Sequence, residues 1–403
     1  MEKLYYTNQY EKTFTAEVLE VIEKNNEFHI KLDKTYFYPE GGGAPSDTGY
    51  IEASPITYVY EENDNIYHVS SIKPIKIHRI KCSIDWKRRF DIMQQHLGQH
   101  LLSACFSKLF NASTIGFHLG ESICTIDIDK FFTKDQIDEA ENLSNSLILD
   151  NITVEFLNPT KSELKKMPIK KISPKINEQI RIVKIGDIDF NPCCGIHPKS
   201  TIEVQLIKIL KWEKYKNSTR IHFLCGERAI KESLQKYIFS TEICSLLKCS
   251  EAEAIDQIQK QRDELNKILA ENRLLKDKIS NYEIKDILEE SEKISGITVV
   301  KKTYSSESLK YINTLATKLT AFNDVIALFA VKDQDKANLI FSCSKNINFI
   351  NMNLLLKDAI SLIDGKGGGS TFSAQGGGKN TNNLDSTLDY AFMKIKNTLN
   401  ENK

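Results

Sequence analysis

Two short segments, almost a hundred residues apart, each carry a pair of metal-ligating side chains. One is His96-Leu97-Gly98-Gln99-His100 and the other is Cys193-Cys194-Gly195-Ile196-His197. Each pair has i,i+4 spacing, which on a helix places both side chains on one face. Three imidazoles and a thiolate form a donor set suited to Zn²⁺, one ion per chain. Only eight histidines occur in the chain, and three of them fall in these two segments. A single pair has an ordinary alternative, two buried histidines with hydrogen bonds. The metal reading therefore requires a fold that closes the long gap between the pairs.

The local context of the two pairs differs. Phe90, Met93, Leu97, Leu101, Cys105 and Leu109 recur as one stripe of an amphipathic helix, with Asp85 as its N-cap. His96 and His100 lie at the edge of that stripe, where they can face a cleft. Gly98 costs roughly 1 kcal/mol relative to Ala inside a helix, so a close approach to the backbone is expected there. The second pair lies between Pro192 and Pro198 and includes Gly195, which makes it a turn or loop. Cys194 rivals Cys193 as the thiolate, but only Cys193 has the i,i+4 match to His197. Cys194 then reads as a small buried residue.

The rest of the composition narrows the class. The chain has 403 residues, with 54 basic and 54 acidic side chains and a formal net charge of zero. A globally basic nucleic-acid binder is not indicated, so any such role needs local patches. The length implies two to four domains. Nine scattered cysteines do not form a disulfide framework, and with no signal peptide a reducing cytoplasm is expected. No apolar run approaches the roughly 20 residues of a membrane span, so no membrane partner is expected.

Residues 1–84 read as β, with strands near Thr13–Glu23, Glu27–Leu32 and Ile56–Tyr60. Among them lies Gly41-Gly42-Gly43, which lets backbone approach a ligand or another chain, or simply connects a hairpin. Residues 85–240 read as an α/β unit. It has the ligand helix, a helix near Lys134–Ile148, and strands near Ser122–Ile128, Thr153–Asn158, Ile180–Ile185, Thr201–Trp212 and Arg220–Cys225. Between the ligand pairs, residues 161–184 carry eight Lys/Arg against two Glu, either a solvated face or a phosphate-holding flank. Lys208, Lys211, Lys214, Lys216 and Arg220, with Trp212 and Tyr215 among them, form a second candidate surface. Residues 241–295 read as a helical arm with near-heptad apolar spacing, a coiled coil for spacing or self-association. Residues 296–403 read as a separate α/β domain ending in a glycine-rich run. In that run Lys366, Gly367, Gly368, Gln375, Gly376 and Gly377 are candidate RNA-binding positions through free backbone N–H groups. A structural glycine seam at a dimer interface is the alternative. The run does not match a Walker-type NTPase loop, and no ATP dependence is expected.

Met93-Gln-Gln-His-Leu-Gly-Gln-His-Leu-Leu-Ser103, Pro192-Cys-Cys-Gly-Ile-His197, Gly41-Gly-Gly-Ala-Pro-Ser-Asp-Thr-Gly49 and Ala374-Gln-Gly-Gly-Gly378 occur in the order found in alanyl-tRNA editing proteins of the AlaX type. The chain resembles the long form of that family along essentially its whole length. The resemblance implies an α+β multidomain fold: an N-terminal β-barrel, an α/β editing domain, a helical arm and a C-terminal DHH-associated domain. It implies that His96, His100, Cys193 and His197 bind zinc in a deacylation site, and that Gly41, Gly42 and Gly43 lie near the editing pocket. Thr114 resembles the hydroxyl-sensing threonine of the family. The second motif is usually Cys-Gly-Gly-Thr-His, and Cys194 and Ile196 depart from it. Leu97 stands where Thr or Ser is frequent. No departure removes a ligand.

The implied substrate is a tRNA, that for alanine, mischarged with serine or glycine, cleaved at the ester to its terminal ribose. A homodimer through the helical arm or the C-terminal domain is a further expectation. Two other readings stand beside this one. A zinc peptidase needs His-Glu-x-x-His, and Leu97 occupies the Glu position. A non-catalytic RNA-binding module with structural zinc is compatible with the same ligands.

Overall fold

The computed structural model describes residues 2–75, 78–164, 167, 180–333 and 336–401. The chain divides into two compact units, residues 1–246 and 247–403. Among the described residues it forms eight helices and several sheets.

In the first unit, a seven-stranded antiparallel sheet runs in the order Thr13–Ala16, Ile80–Ile84, Gly49–Ile51, Ser54–Glu62, Asn65–Ser70, Glu27–Leu32, Val18–Lys24. The expected barrel is not closed by backbone pairing. The two edge strands, Thr13–Ala16 and Val18–Lys24, are consecutive and separated by Glu17 alone, so no turn exists through which they could pair. The chain then enters helix α1, Trp86–Phe110, through Asp85, whose carboxylate accepts from the Arg88 backbone N–H. A four-stranded antiparallel sheet follows in the order Thr114–Leu119, Cys124–Ile128, Ser218–Cys225, Ile207–Tyr215. Helix α2, Lys134–Leu149, starts on a Thr133–Gln136 capping box. The one-turn helix α3 is Lys161–Leu164, and a three-stranded sheet joins Val154–Leu157, Ile182–Ile185 and Asp189–Pro192. One apolar core spans all of this, from Tyr5 to Cys225.

Helix α1 departs from the amphipathic expectation. Every residue from Ile92 to Leu102 is buried, polar ones included. The helix contributes Ile92, Met93, Leu97, Leu101 and Phe106 to the core and is covered on more than one side. Its buried glutamines are therefore tied up. Gln95 donates to the Cys225 carbonyl at 2.8 Å and Gln94 to the Glu203 carbonyl at 2.8 Å. Gly98 has the tertiary reason its helical position suggested, because a Cβ there would lie 2.1 Å from Cys225 Sγ. The expected strand over Thr201–Trp212 is corrected. Thr201–Val204 is a short 3₁₀ turn, and the strand begins at Ile207. Thr201 Oγ1 donates to the Leu147 carbonyl and accepts from the Ile152 N–H, a side-chain alternative to a ladder.

Helix α4, Gly226–Leu247, ends the first unit. In the second, the long helix α5, Glu251–Glu290, starts on a Ser250–Glu253 capping box. A six-stranded sheet follows in the order Glu292–Ile294, Ile297–Ser305, Val325–Asp333, Lys336–Cys343, Ser373–Gly378, Lys366–Gly369. Its single parallel pair is bridged by α6, Leu309–Leu319. Val325–Asp333 is buried on both faces. Val325, Ala327 and Phe329 point to α6 and the end of α5. Ile326, Leu328 and Ala330 share a core with α7, Met352–Ile360, and α8, Leu384–Glu401.

The glycine-rich run is an antiparallel ladder pairing Gly367 with Gly376 and Gly368 with Gln375. Ser373–Gly378 is also paired on its other side with Lys336–Cys343. The N–H groups expected to be free are therefore spent within the sheet along this strand, and the open side belongs to Lys366–Gly369. There Gly369 N–H already donates to Asn353 Oδ1 at 3.1 Å.

Candidate metal centre

Four ligand atoms from His96, His100, Cys193 and His197 lie within 4.8 Å of one another. Helix α1 supplies the first two from its buried middle. The loop after Asp189–Pro192 supplies the others. Cys193 Sγ lies 3.4 Å from His96 Nε2 and 3.7 Å from His197 Nε2. The imidazole centroids are 4.3 Å apart for His96 and His197, and 5.0 Å for His100 and His197. All three imidazoles are buried.

The loop is held by groups from distant parts of the sequence. Arg181 donates to the carbonyls of Cys193 at 3.0 Å and Gly195 at 2.7 Å, and its guanidinium lies over the rings of Tyr6 and Phe156. Tyr6 and Tyr38 donate their hydroxyls to the Cys194 carbonyl at 2.8 and 3.3 Å. Gln9 donates to the His197 carbonyl at 3.1 Å. Arg181 is therefore a loop clamp and not a free phosphate-binding cation. Lys184, in the same basic run, pairs with Glu155 at 2.7 Å. Most of the run between residues 165 and 179 lies outside the described residues. Cys194 corrects the buried expectation, since its side chain is exposed at the surface of this loop.

Glycines let the walls close on the centre. A Cβ on Gly195 would lie 2.2 Å from His96 Cε1, so only glycine fits beside that imidazole. Gly42 and Gly43 have φ of +58° and +81°. A Cβ on Gly42 would stand 3.5 Å from the Gly195 nitrogen, and one on Gly43 would stand 2.4 Å from the Phe117 ring. Phe117 in turn lies 5.9 Å, centroid to centroid, from His96. Gly41 closes the loop by exchanging backbone hydrogen bonds with Ala44. The loop is anchored to α1 by a fully buried ion pair. Arg89 Nε donates to both Asp47 oxygens at 2.8 and 3.0 Å, and Arg89 also donates to the carbonyls of Gln9 and Tyr36.

Thr114 lies at the start of the Thr114–Leu119 strand. It donates its hydroxyl proton to Ser103 Oγ at 2.7 Å, and Gln99 donates to the same oxygen at 2.8 Å. With its proton committed, Thr114 Oγ1 offers lone pairs only. The candidate RNA positions Lys366, Gly367, Gly368, Gln375, Gly376 and Gly377 lie in the second unit, on the glycine hairpin. Sequence patterning missed Asp189, Phe117, Gln99 and Ser103, and it counted Arg181 only as part of the 161–184 basic run. Asp189 and Arg181 act through long-range contacts, and the aspartates of Gly186-Asp-Ile-Asp189 were the one local hint of a carboxylate beside the loop.

The donor set fits a soft divalent cation. His100 Nδ1 faces Asp189 Oδ2 at 3.1 Å, the carboxylate–histidine arrangement that fixes a tautomer and leaves Nε2 for an ion. Asn191 donates to both oxygens of Asp189 and fixes it in turn. Burial opposes protonation of His100, but hydrogen bonds to Asp189 and Cys193 outweigh it and raise its pKa to about 10. Burial, reinforced by neighbouring His96, lowers His197 to about 3. Burial also opposes ionisation of Cys193, yet His96, His197 and His100 together hold its thiol well below the usual range. A thiolate among crowded imidazoles is what a cation can enter in exchange for protons. His96 and His197 turn Nε2 towards Cys193 Sγ, and their Nδ1 atoms are buried with no hydrogen-bond partner among the described residues.

A cavity of about 540 Å³ opens beside the N-terminal half of α1, lined by Thr48, Arg88, Asp91, Gln95, Gly120 and Arg228. It does not include the four metal-ligand candidates. Its main charges are already paired, Arg228 with Asp91 and with the Gly120 carbonyl.

Residues 180–222 match the family described as the threonyl and alanyl tRNA synthetase second additional domain, and residues 296–397 match the DHHA1 domain. The chain is 31% identical to the alanyl-tRNA editing protein AlaX-L of Pyrococcus horikoshii, over 93% of this chain and 94% of that protein. It is 28% identical to an alanine–tRNA ligase of Methanobrevibacter smithii, over 97% of this chain but only 45% of the ligase. Over 60% of each chain it is 33% identical to the alanyl-tRNA editing protein Aarsd1-A of Xenopus laevis.

Proposed function

The chain belongs to the long-form alanyl-tRNA editing proteins, and from that premise we propose that it is a trans-editing deacylase. In this reading it hydrolyses the ester of tRNA(Ala) mischarged with serine or glycine, at a centre holding one Zn²⁺ on His96, His100, Cys193 and His197. The observation that carries it is the convergence of these four donors within 4.8 Å, against a wall of glycine backbone. Zinc bound there would supply positive charge able to polarise an ester carbonyl or lower the pKa of a bound water to about 7.

The remaining work falls to the chain's own groups. Gly42, Gly43 and Gly195 keep side-chain atoms out of the approach to His96. Phe117, an exposed ring 5.9 Å from His96 centroid to centroid, flanks the same approach. Thr114 Oγ1, an acceptor only while its O–H donates to Ser103 Oγ, can accept a hydrogen bond from the hydroxyl of a seryl ester. Alanine has no hydroxyl and would leave that acceptor unpaired. A site built around a substrate hydroxyl rejects the analogue that lacks it far better than an apolar pocket rejects a missing methylene.

The test is deacylation of tRNA charged with serine, glycine or alanine. The intact protein should release serine and glycine and spare alanine, and His100→Ala and Cys193→Ala should fall to background. Thr114→Val should lower serine turnover more than glycine turnover. Equal hydrolysis of all three substrates would sink the editing assignment. Tight RNA binding without any hydrolysis would favour a non-catalytic module with structural zinc.

A further inference from the structure

The outer half of the Ile207–Tyr215/Ser218–Cys225 hairpin is not accounted for by the core. Along Ile207–Tyr215, burial alternates only to Ile209, and Lys211, Trp212, Glu213 and Lys214 are all exposed. The segment Lys211-Trp-Glu-Lys-Tyr-Lys216 interleaves cations with aromatic rings. Lys214 Nζ lies 5.2 Å from the ring of Phe131, which is 56% exposed, and Lys216 Nζ lies 5.2 Å from the ring of Tyr215. Trp212 is 36% exposed.

The ion pairing on this hairpin is uneven. Lys208 pairs with Glu141, Lys211 with Glu213, and Arg220 with Asp127. Lys214 and Lys216 have no acidic partner among the described residues. A lysine run alone is an ordinary solvated face. The Tyr215 ring is already covered by the Arg220 guanidinium at 3.6 Å, but lysines without an acidic partner beside the exposed Phe131 and Trp212 rings are different, since those rings offer stacking surfaces for bases and the lysines offer contacts for phosphates.

The position of the tip adds a length. Thr219 Oγ1 donates to the Lys130 carbonyl at 2.7 Å, and Lys130 Nζ donates to the Phe110 carbonyl at 2.9 Å. The tip is thereby joined to the C-terminal end of α1. His100 lies ten residues before Phe110 on that helix, about 15 Å at 1.5 Å per residue. The path through these contacts is longer than that by the Lys130 side chain, so a four-nucleotide tail stacked at roughly 3.4 Å per nucleotide, about 14 Å, has to extend to cover it.

Building on the deacylase reading above, we propose that this hairpin tip and Phe131 form the docking surface for the RNA acceptor end. The last base pair and first tail nucleotides rest on Trp212, Phe131, Lys214 and Lys216, and the extended tail leads from there towards the end of the site marked by His100.

The probe is an uncharged RNA hairpin of about 12 base pairs with a single-stranded ACCA 3′ tail, read by fluorescence anisotropy on the full chain across a salt series. Lys214→Glu/Lys216→Glu should weaken binding at least tenfold and lower the salt slope by roughly two. Trp212→Ala/Phe131→Ala should weaken binding roughly tenfold with the slope little changed. Lys214→Gln/Lys216→Gln, with an unshifted thermal melt, guards against misfolding and should give an intermediate loss. Wild-type binding by the charge-reversal variant overturns the proposal. So does an equal loss for the same RNA without its tail, which would mark a general polyanion contact. The uncharged probe separates this surface from the chemistry. Lys214-dependent binding by a protein that deacylates nothing would remove the deacylase and leave the surface standing. Normal deacylation with wild-type binding in the variant would do the reverse.

Discussion

The molecule contains two glycine clusters that look alike in sequence and do different work. Gly42 and Gly43 adopt left-handed backbone and lie against Gly195 and Phe117, beside the metal-ligand candidates. Gly365, Gly367, Gly376 and Gly378 have no positive φ. They lie under α7 and its 3₁₀ extension, where a Cβ on Gly376 would come within 2.2 Å of Ile360 Cδ1 and one on Gly378 within 2.0 Å of the Ile363 carbonyl. The first cluster uses glycine's freedom of conformation and the second uses its lack of volume. A run of glycines is therefore a statement about space only after its neighbours are known.

The comparison can be broken by experiment. The largest effect is expected where the first cluster is anchored. Arg89→Met leaves the Asp47 carboxylate buried without its partner and should cost about 3–5 kcal/mol, read as an earlier chemical-unfolding midpoint of the first unit. A wild-type midpoint would show that the glycine loop does not depend on this ion pair.

Next comes acid. His68 is fully buried between Thr35 Oγ1 and the Ile30 carbonyl, and burial lowers it to about 4. Its folded pKa lies below the unfolded value of 6.5, so the unfolded chain takes up the proton first. The stability involved is complete above pH 6.5 and is lost as pH falls towards 4, about 3 kcal/mol in all. The second unit contains no histidine and should lack this loss. Parallel hydrogen-exchange profiles of the two units at pH 7 and pH 4.5 would check it, and equal protection losses would count against the assignment.

Gly376→Ala should destabilise the second unit by about 1–3 kcal/mol through overpacking against Ile360, with metal binding by the first unit unchanged. Gly43→Ala should cost roughly 1–2 kcal/mol for its left-handed backbone and displace Phe117, whose exposed ring can swing away. The informative readout is the deacylation rate, which should fall while the second unit melts normally. Gly368→Ala is the smallest change. The nearest atom to its Cβ is Asn353 Oδ1 at 3.6 Å, so stability should stay within about 0.5 kcal/mol. Any loss of RNA affinity in this variant would then report contact at the hairpin rather than unfolding.

Much of the architecture was legible. Asp85 caps α1 as its sequence position suggested, and the helix expected near Lys134–Ile148 forms as Lys134–Leu149. The failures share a cause. Thr201 spends its hydroxyl on Leu147 and Ile152, more than 45 positions away, so a strand-like segment turns instead. The apparent amphipathicity of α1 was misleading, because Gln94, Gln95 and Gln99 are buried with hydrogen bonds that no periodicity reveals. The glycine run promised free N–H groups, and the neighbouring strand consumed most of them.

By itself, the order of residues determined which side chains could ligate a cation and that each pair had i,i+4 spacing, since donor chemistry and helical pitch are local properties. Only the folded chain decided that the pairs meet, that Asp189 orients His100, and that Arg181, Tyr6 and Tyr38 hold the loop carbonyls in place. Such contacts join positions up to 188 residues apart and arise when separate sheets close on one helix. Nothing in the immediate surroundings of any one of those residues records the partner it will find.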